Sequence, residues 1–147
     1  MATLKLKILT PEGPVFDGAV RTVVAPATKG SMGVLPGHAP LVTSLETGVV
    51  RADLEDGTTQ HYMVSGGFLE VAKNEVRILA DVGEHEDVID MARAREAAER
   101  AKRRMRERKE PDFDIARAEA ALARALIRLR VCDLRGKGRS SADSAIR

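Results

Sequence analysis

The sequence predicts an α+β chain: an all-β front half, arranged as a sandwich or barrel, followed by an antiparallel hairpin of two helices. Three observations predict it. Residues 1–86 alternate apolar and polar side chains in short runs cut by turn chemistry, whereas from Asp87 onward the apolar period lengthens to three-then-four. Charge changes sign at the same place: residues 1–86 hold 7 basic and 11 acidic side chains, and residues 87–147 hold 17 and 11. A net −4 front joined to a net +6 back suits two units with different jobs.

In the front, Leu4, Leu6 and Ile8 alternate with Lys5 and Lys7, giving one buried and one wet face. Strand signals continue in VRTVVA, LVTSLETGVVRADL, TTQHYMV, GFLEVA and EVRILA, separated by PEGP, ATKGSMG, LPGHAP, EDG, SGG and KN. Asp56-Gly57 between two runs predicts a hairpin, because a two-residue turn needs positive φ. No helical pattern intervenes, so the strands close on each other as layers.

In the back, Met91, Ala94, Ala98, Ala101 and Met105 form one narrow seam, and Ile115, Ala118, Leu122, Ala125, Leu129 and Cys132 another. Pro111 stands where a helix can start, with Asp112 or Asp114 as its cap. A short break between two such helices predicts an antiparallel hairpin. The last stretch, GKGRSSADSAIR, has no period and is expected to be disordered. The expected domains are therefore residues 1–86, 87–135 and a tail, 136–147.

Composition narrows the function. At 147 residues with 44% hydrophobic and 3% aromatic content, the chain supports one modest core. A single cysteine, Cys132, excludes an internal disulfide, and as a seam residue it reads as a core thiol. No apolar run approaches the roughly 20 residues that span a bilayer, and MATLKLKIL is too short for a signal peptide. His38, His61 and His85 lack metal-ligand spacing, so no metal site is assigned. GSMGVLPG lacks the Gly-Lys-Ser/Thr ending of a phosphate loop, and Gly66-Gly67 marks a turn or bulge. With no Ser/His/Asp set and no catalytic carboxylate pair, an enzyme acting alone is not expected.

The helices carry the informative residues. With the seams at heptad positions a and d, Asp90 falls at g and Arg93 and Arg100 at c; on the second helix Arg128 falls at g and Arg124 at c. Turned antiparallel, these side chains share one flank, with Arg100 roughly 10 Å nearer the turn than Arg93. That span is comparable to a nucleotide, and arginine forks suit phosphate. The alternative is a solvated face, because Glu96 precedes Arg100 by four residues and Glu99 precedes Arg103 likewise. Periodicity leaves both open. A nucleic-acid arm is a further alternative, but nearly all aromatics lie in the β-part and no stacking platform is visible.

GSMGVLPGHAPLVTSLETGVV, SGGFLEV, VRILAD, IDMARA and a second helix ending LIRLRV resemble the epsilon subunit of bacterial F-type ATP synthases, from about residue 3 to 135. The resemblance implies a ten-stranded antiparallel β-sandwich and a C-terminal helical hairpin. It implies a non-catalytic rotor subunit, peripheral on the cytoplasmic face of the bacterial plasma membrane. The sandwich would dock on the gamma subunit and the c-subunit ring, and an extended hairpin would reach the alpha/beta head and inhibit ATP hydrolysis. Some members bind ATP as a regulatory ligand in the compact state. Their Ile/Leu-Asp-x-x-Arg-Ala pattern matches Ile89, Asp90, Arg93 and Ala94, the further arginines match Arg100, Arg124 and Arg128, and an upstream acid matches Glu84. The stretch 28–38, with Ser31, Met32 and His38, resembles the part that meets the ring; some members carry an acid where this chain has Ser31.

An alanine seam suits a switch. A large apolar side chain contributes roughly 1.5–3 kcal/mol on burial and alanine only a fraction of that. The expected hairpin is therefore helical by propensity yet weakly held, so that whatever binds one arrangement better selects it.

Overall fold

Leu4, Leu6 and Ile8 of β1 (Leu4–Thr10) are buried, and Lys5 and Lys7 occupy its other face. β2 (Gly13–Ala27) runs back antiparallel, with Val20 opposite Leu4 and a bulge between Ile8 and Leu9. From Val20 onward β2 also pairs with β5 (Gly48–Leu54), through a second bulge between Val20 and Thr22, and from Val23 its other edge passes from β1 to β3 (Gly30–Val34). The structure, a computed structural model, describes residues 2–107 and 113–145, and side-chain surroundings as far as residue 135.

β6 (Thr59–Ser65) follows β5 through residues 55–58, where Leu54 N–H donates to the Thr58 carbonyl to close a turn of residues 55–57 and Gly57 takes φ 89°. The Asp56-Gly57 hairpin is present, but its loop has three residues rather than two. β7 (Phe68–Ala72) pairs with β4 (Leu41–Ser44) and β8 (Glu75–Leu79), and β9 (Val82–His85) borders β6. Lys73 and Asn74, both at positive φ, make the tight β7–β8 turn.

The strand order is β4-β7-β8-β1-β2-β5-β6-β9, with β3 on β2. Buried residues from both ends of that order, such as Leu69, Ile78, Val50 and Val64, form one core with Leu6 and Val20. The sheet is therefore folded into two facing layers that share β2. Two details depart from expectation. Nine strands are described rather than ten, since the 15-residue β2 serves both layers without a break. Pairing is antiparallel except for β1 and β8, which run parallel because β8 enters the layer beside β1 from the same end.

A short 3-10 helix, Glu86–Val88, leads into α1 (Met91–Glu107), and α2 (Ile115–Ala145) returns along it. Asp90 caps α1 by accepting from the Arg93 N–H at 3.2 Å, and Asp114 caps α2 by accepting from the Arg117 N–H at 3.1 Å. Asp114 is thus the cap; Pro111 and Asp112 lie outside the described residues. Ala94, Ala98 and Ala101 are buried, as are Ala118, Ala125 and Cys132 on α2. Met91 and Ile115, the first residues of their helices, are each 42% exposed, because the seam has not yet closed there. The stretch expected as a disordered tail instead continues α2 to Ala145. Gly136 and Gly138 each cost roughly 1 kcal/mol against alanine, but no proline interrupts the helix.

Candidate functional site

In β6 the residues Tyr62, Met63 and Val64 are all fully buried, which a strand with one wet face does not allow. Tyr62 and Val64 enter the sandwich core, whereas Met63 points the other way and meets Ile89, Val131 and Cys132. α2 therefore lies on the outer face of β5 and β6, and the hairpin is docked in a compact arrangement.

One stripe of α2 holds the docking. Arg128, Cys132 and Arg135 follow at spacings of four and three and share a helical face. Arg128 Nε donates to Glu84 Oε1 at 2.6 Å, with Nη2 3.5 Å from Oε2. Cys132 Sγ stands 4.0 Å from the Ile89 carbonyl oxygen. Arg135 Nη1 donates to the Glu86 carbonyl at 2.6 Å. All three partners belong to the segment 84–89 that joins sandwich to hairpin. The apolar part of this contact is small, four buried residues with Val49, Val82 and Ile127 beside them.

The same segment is held from the sandwich side. His61 Nδ1 is 3.3 Å from Glu86 Oε2, and His85 accepts from the Asp87 N–H at 3.0 Å to cap the 3-10 helix. Tyr62 packs edge-on against His85 and donates to Gln60 Oε1 at 2.7 Å. Burial, and then the negative charge of Glu86, push the Tyr62 phenol far above its ordinary pKa, so it stays neutral.

Of the residues singled out from the sequence, the structure joins Glu84 to Arg128 and Asp90 to Arg93, whose Nε is 3.9 Å from Asp90 Oδ2. Ile89 and Ala94 are buried, Ile89 against α2 and Ala94 in the seam. Neither Arg100 nor Arg124 makes an ion pair with a described residue. Arg100 lines a shallow groove on α1 with Arg95, Glu96, Glu99 and Arg103, a cavity of about 340 Å³ that Arg93, Arg124 and Arg128 do not line. The Glu96–Arg100 and Glu99–Arg103 pairs of the solvated-face alternative are not formed; Glu99 is 3.7 Å from Lys102 instead. Arg93 is 87% exposed.

On β3 and the loop after it, Ser31 is exposed, Met32 packs partly into the core, and the His38 ring meets the Ala39 carbonyl at 2.7 Å. Leu35, at 60% exposure between them, is the most prominent apolar group of that loop. Sequence reasoning passed over Leu35, Met63, Glu86 and Arg135, and weighed His61 only as a metal ligand. Only Met63 left a signal, as the middle of three consecutive apolar residues.

Comparison with known proteins agrees with this architecture. Residues 3–86 match the family "ATP synthase, Delta/Epsilon chain, beta-sandwich domain", and residues 87–133 match its "long alpha-helix domain". An ATP synthase epsilon chain of Moorella thermoacetica is 50% identical over 130 residues, 88% of this chain and 96% of that one. That of Symbiobacterium thermophilum is 47% identical over 131 residues, 88% and 93%. Among solved structures, a chain of the Euglena gracilis mitochondrial ATP synthase, determined with OSCP, F1 and the c-ring, superposes with a TM-score of 0.71 at 26% identity, covering 84% of this chain and 77% of that one. A sandwich and a helical hairpin matched in this order, at this identity and over nearly the whole of each relative, place the chain in the ATP synthase delta/epsilon family, as an epsilon chain of the bacterial type and thus a non-catalytic subunit of the synthase stalk.

Proposed function

We propose that this chain links the gamma subunit to the c-subunit ring through its sandwich, and that its hairpin is a regulatory element that restrains ATP hydrolysis when it leaves the docked position and reaches the alpha/beta head. The observation that carries the regulatory part is the thinness of the docking. Four buried side chains and two arginine contacts hold α2 down, and the seam between the helices is largely alanine. Such a contact is worth only a few kcal/mol and is open to reversal by a ligand.

ATP is the proposed ligand of the docked state, held on the flank of Asp90, Arg93, Arg100, Arg124 and Arg128 beside Glu84, Ile89 and Ala94. Arg100 and Arg124, which have no carboxylate partner among the described residues, support this reading, because such arginines are available to phosphate, and Arg93 stands exposed beside Asp90 on the same flank. ATP at a hundred times its dissociation constant would add about 2.7 kcal/mol to the docked state. Calorimetric titration of the isolated chain tests it: heat at millimolar ATP that disappears in Arg100→Ala is expected, and no heat, or binding unchanged by that substitution, overturns the ATP part.

Ser31 and His38, with Leu35, make the ring-facing end of the sandwich, and the subunit stays peripheral on the cytoplasmic side of the membrane. No helix among the described residues is long and apolar enough to cross a bilayer.

A second reading, a structural link with no nucleotide site, is favoured by one observation: Arg128 is satisfied by Glu84 of the same chain. It predicts that the reconstituted synthase hydrolyses ATP with equal indifference to nucleotide history with and without residues 87–147. A difference between the two decides for the regulatory hairpin.

A further inference from the structure

Glu86 is gripped from two sides by residues outside the proposed nucleotide flank. Its carboxylate Oε2 lies 3.3 Å from His61 Nδ1 on β6, both side chains being only 14% exposed. Its backbone carbonyl accepts from Arg135 of α2 at 2.6 Å. The sandwich thus holds the side chain, and the hairpin holds the main chain, of one residue in the joining segment.

We propose that this clasp makes hairpin docking proton-sensitive: protonated His61 pairs with the Glu86 carboxylate, fixes Glu86 so that its carbonyl meets Arg135, and keeps α2 down, whereas neutral His61 grips more weakly. The inference rests on the reading of the hairpin as a movable element. A charge-assisted hydrogen bond between largely buried partners is stronger than the neutral one it replaces. The clasp is at full strength when the ring carries its second proton, and it loosens as rising pH removes that proton.

The other charged groups around His61 leave Glu86 as its contact. From β5, Arg51 is the cross-strand partner of His61, and Asp53, 3.5 Å from Arg51, offsets that positive charge and also feels the charge of His61, without hydrogen-bonding it. From β9, Glu84 is committed to Arg128. His85 works within its own turn: its Nδ1 accepts from the Asp87 N–H at 3.0 Å and lies 3.7 Å from Asp87 Oδ2, so its protonation exchanges a cap for an ion pair beside the clasp. From α2, Arg135 donates to the Glu86 carbonyl rather than to the carboxylate that His61 holds.

Cys132, the single thiol of the chain and 6% exposed at the docking contact, reports the opening. Its modification by a pyridyl disulfide is followed in the full chain between about pH 5.5 and 8, in a His85→Asn background that keeps an acceptor for the Asp87 N–H. The ratio of rates, His61→Gln over His61, cancels the thiolate chemistry common to both. The expected ratio is roughly five at the acid end and near one at the alkaline end, the size of a charged over a neutral hydrogen bond, and Glu86→Gln should give the same profile. A ratio flat with pH, in a chain where Arg135→Ala still speeds modification, overturns the proton dependence and leaves the movable hairpin standing. A thiol that stays unreactive even in Arg135→Ala overturns both.

Discussion

Arg128 on α2 and Glu84 on β9 are joined by a 2.6 Å hydrogen bond from Nε to Oε1, 44 residues apart in the chain. It is the strongest polar tie between the hairpin and the sheet, and the two side chains are 26% and 31% exposed. Glu84→Gln or Arg128→Ala is expected to weaken docking by about 1 kcal/mol, the scale of a partly screened ion pair. Amide exchange in α2 should quicken several-fold with exchange in β5 and β6 core amides unchanged. The charge-swapped double variant, Glu84→Arg with Arg128→Glu, should recover part of the loss.

The seam sets the second prediction. Ala98 and Ala125 are 3% and 0% exposed, and their small size lets α1 and α2 approach closely. Ala98→Leu adds three carbons where no room exists and is expected to cost about 1–3 kcal/mol of hairpin stability. Circular dichroism should then show helix melting at lower temperature than in the parent chain, ahead of the sheet transition. A larger side chain that tightened the hairpin would contradict the close-packed seam.

Gly67 is indispensable to the sandwich. It sits at φ +103°, and a Cβ there would stand 1.8 Å from the Leu79 carbonyl oxygen. Gly67→Ala is expected to lose at least about 3 kcal/mol, since both the backbone region and the space are closed to a side chain. A thermal melt of the sheet reads this directly.

Acid sensitivity of the sheet should trace in part to Asp53. Burial alone would raise the pKa of its carboxyl, but hydrogen bonds from Thr22 and Thr59, with the charges of Arg51 and His61, outweigh burial and hold it below the usual range. A group depressed in the folded state stabilises above its unfolded pKa, about 3.9, and that contribution drains away as pH falls through the folded value. Asp53→Asn should therefore lower the urea midpoint near neutrality while losing less than the parent chain between about pH 4 and 2. An identical acid response in both would contradict the assignment.

The alternation of Leu4, Leu6 and Ile8 and the Ala94, Ala98, Ala101 seam were legible because each is a one-dimensional period that burial enforces. The cap at Asp90 was not separable from the flank residues it accompanies until its bond to the Arg93 N–H was seen. Less local facts escaped. The parallel neighbour of β1 is chosen by how the chain returns, which alternation does not encode. The docking stripe of Arg128, Cys132 and Arg135 overlaps the seam pattern of α2, so a reading in narrow heptads assigned that helix one partner where it has two. Of the proposed nucleotide flank, Glu84 with Arg128 and Asp90 with Arg93 are in contact, while exposed Arg100 and half-buried Arg124 make no ion pair with a described residue, a matter of long-range charge that heptad position does not encode.

We propose that the two helices are held loosely enough for a ligand to choose their position. Hydrogen exchange of the isolated chain, with and without millimolar ATP, tests this most directly. Hairpin amides are expected to exchange orders of magnitude faster than those of Leu6, Val50 and Val64 in the sheet, and to slow when ATP is added. Helices protected as fully as the sheet core, and unmoved by ATP, would contradict it.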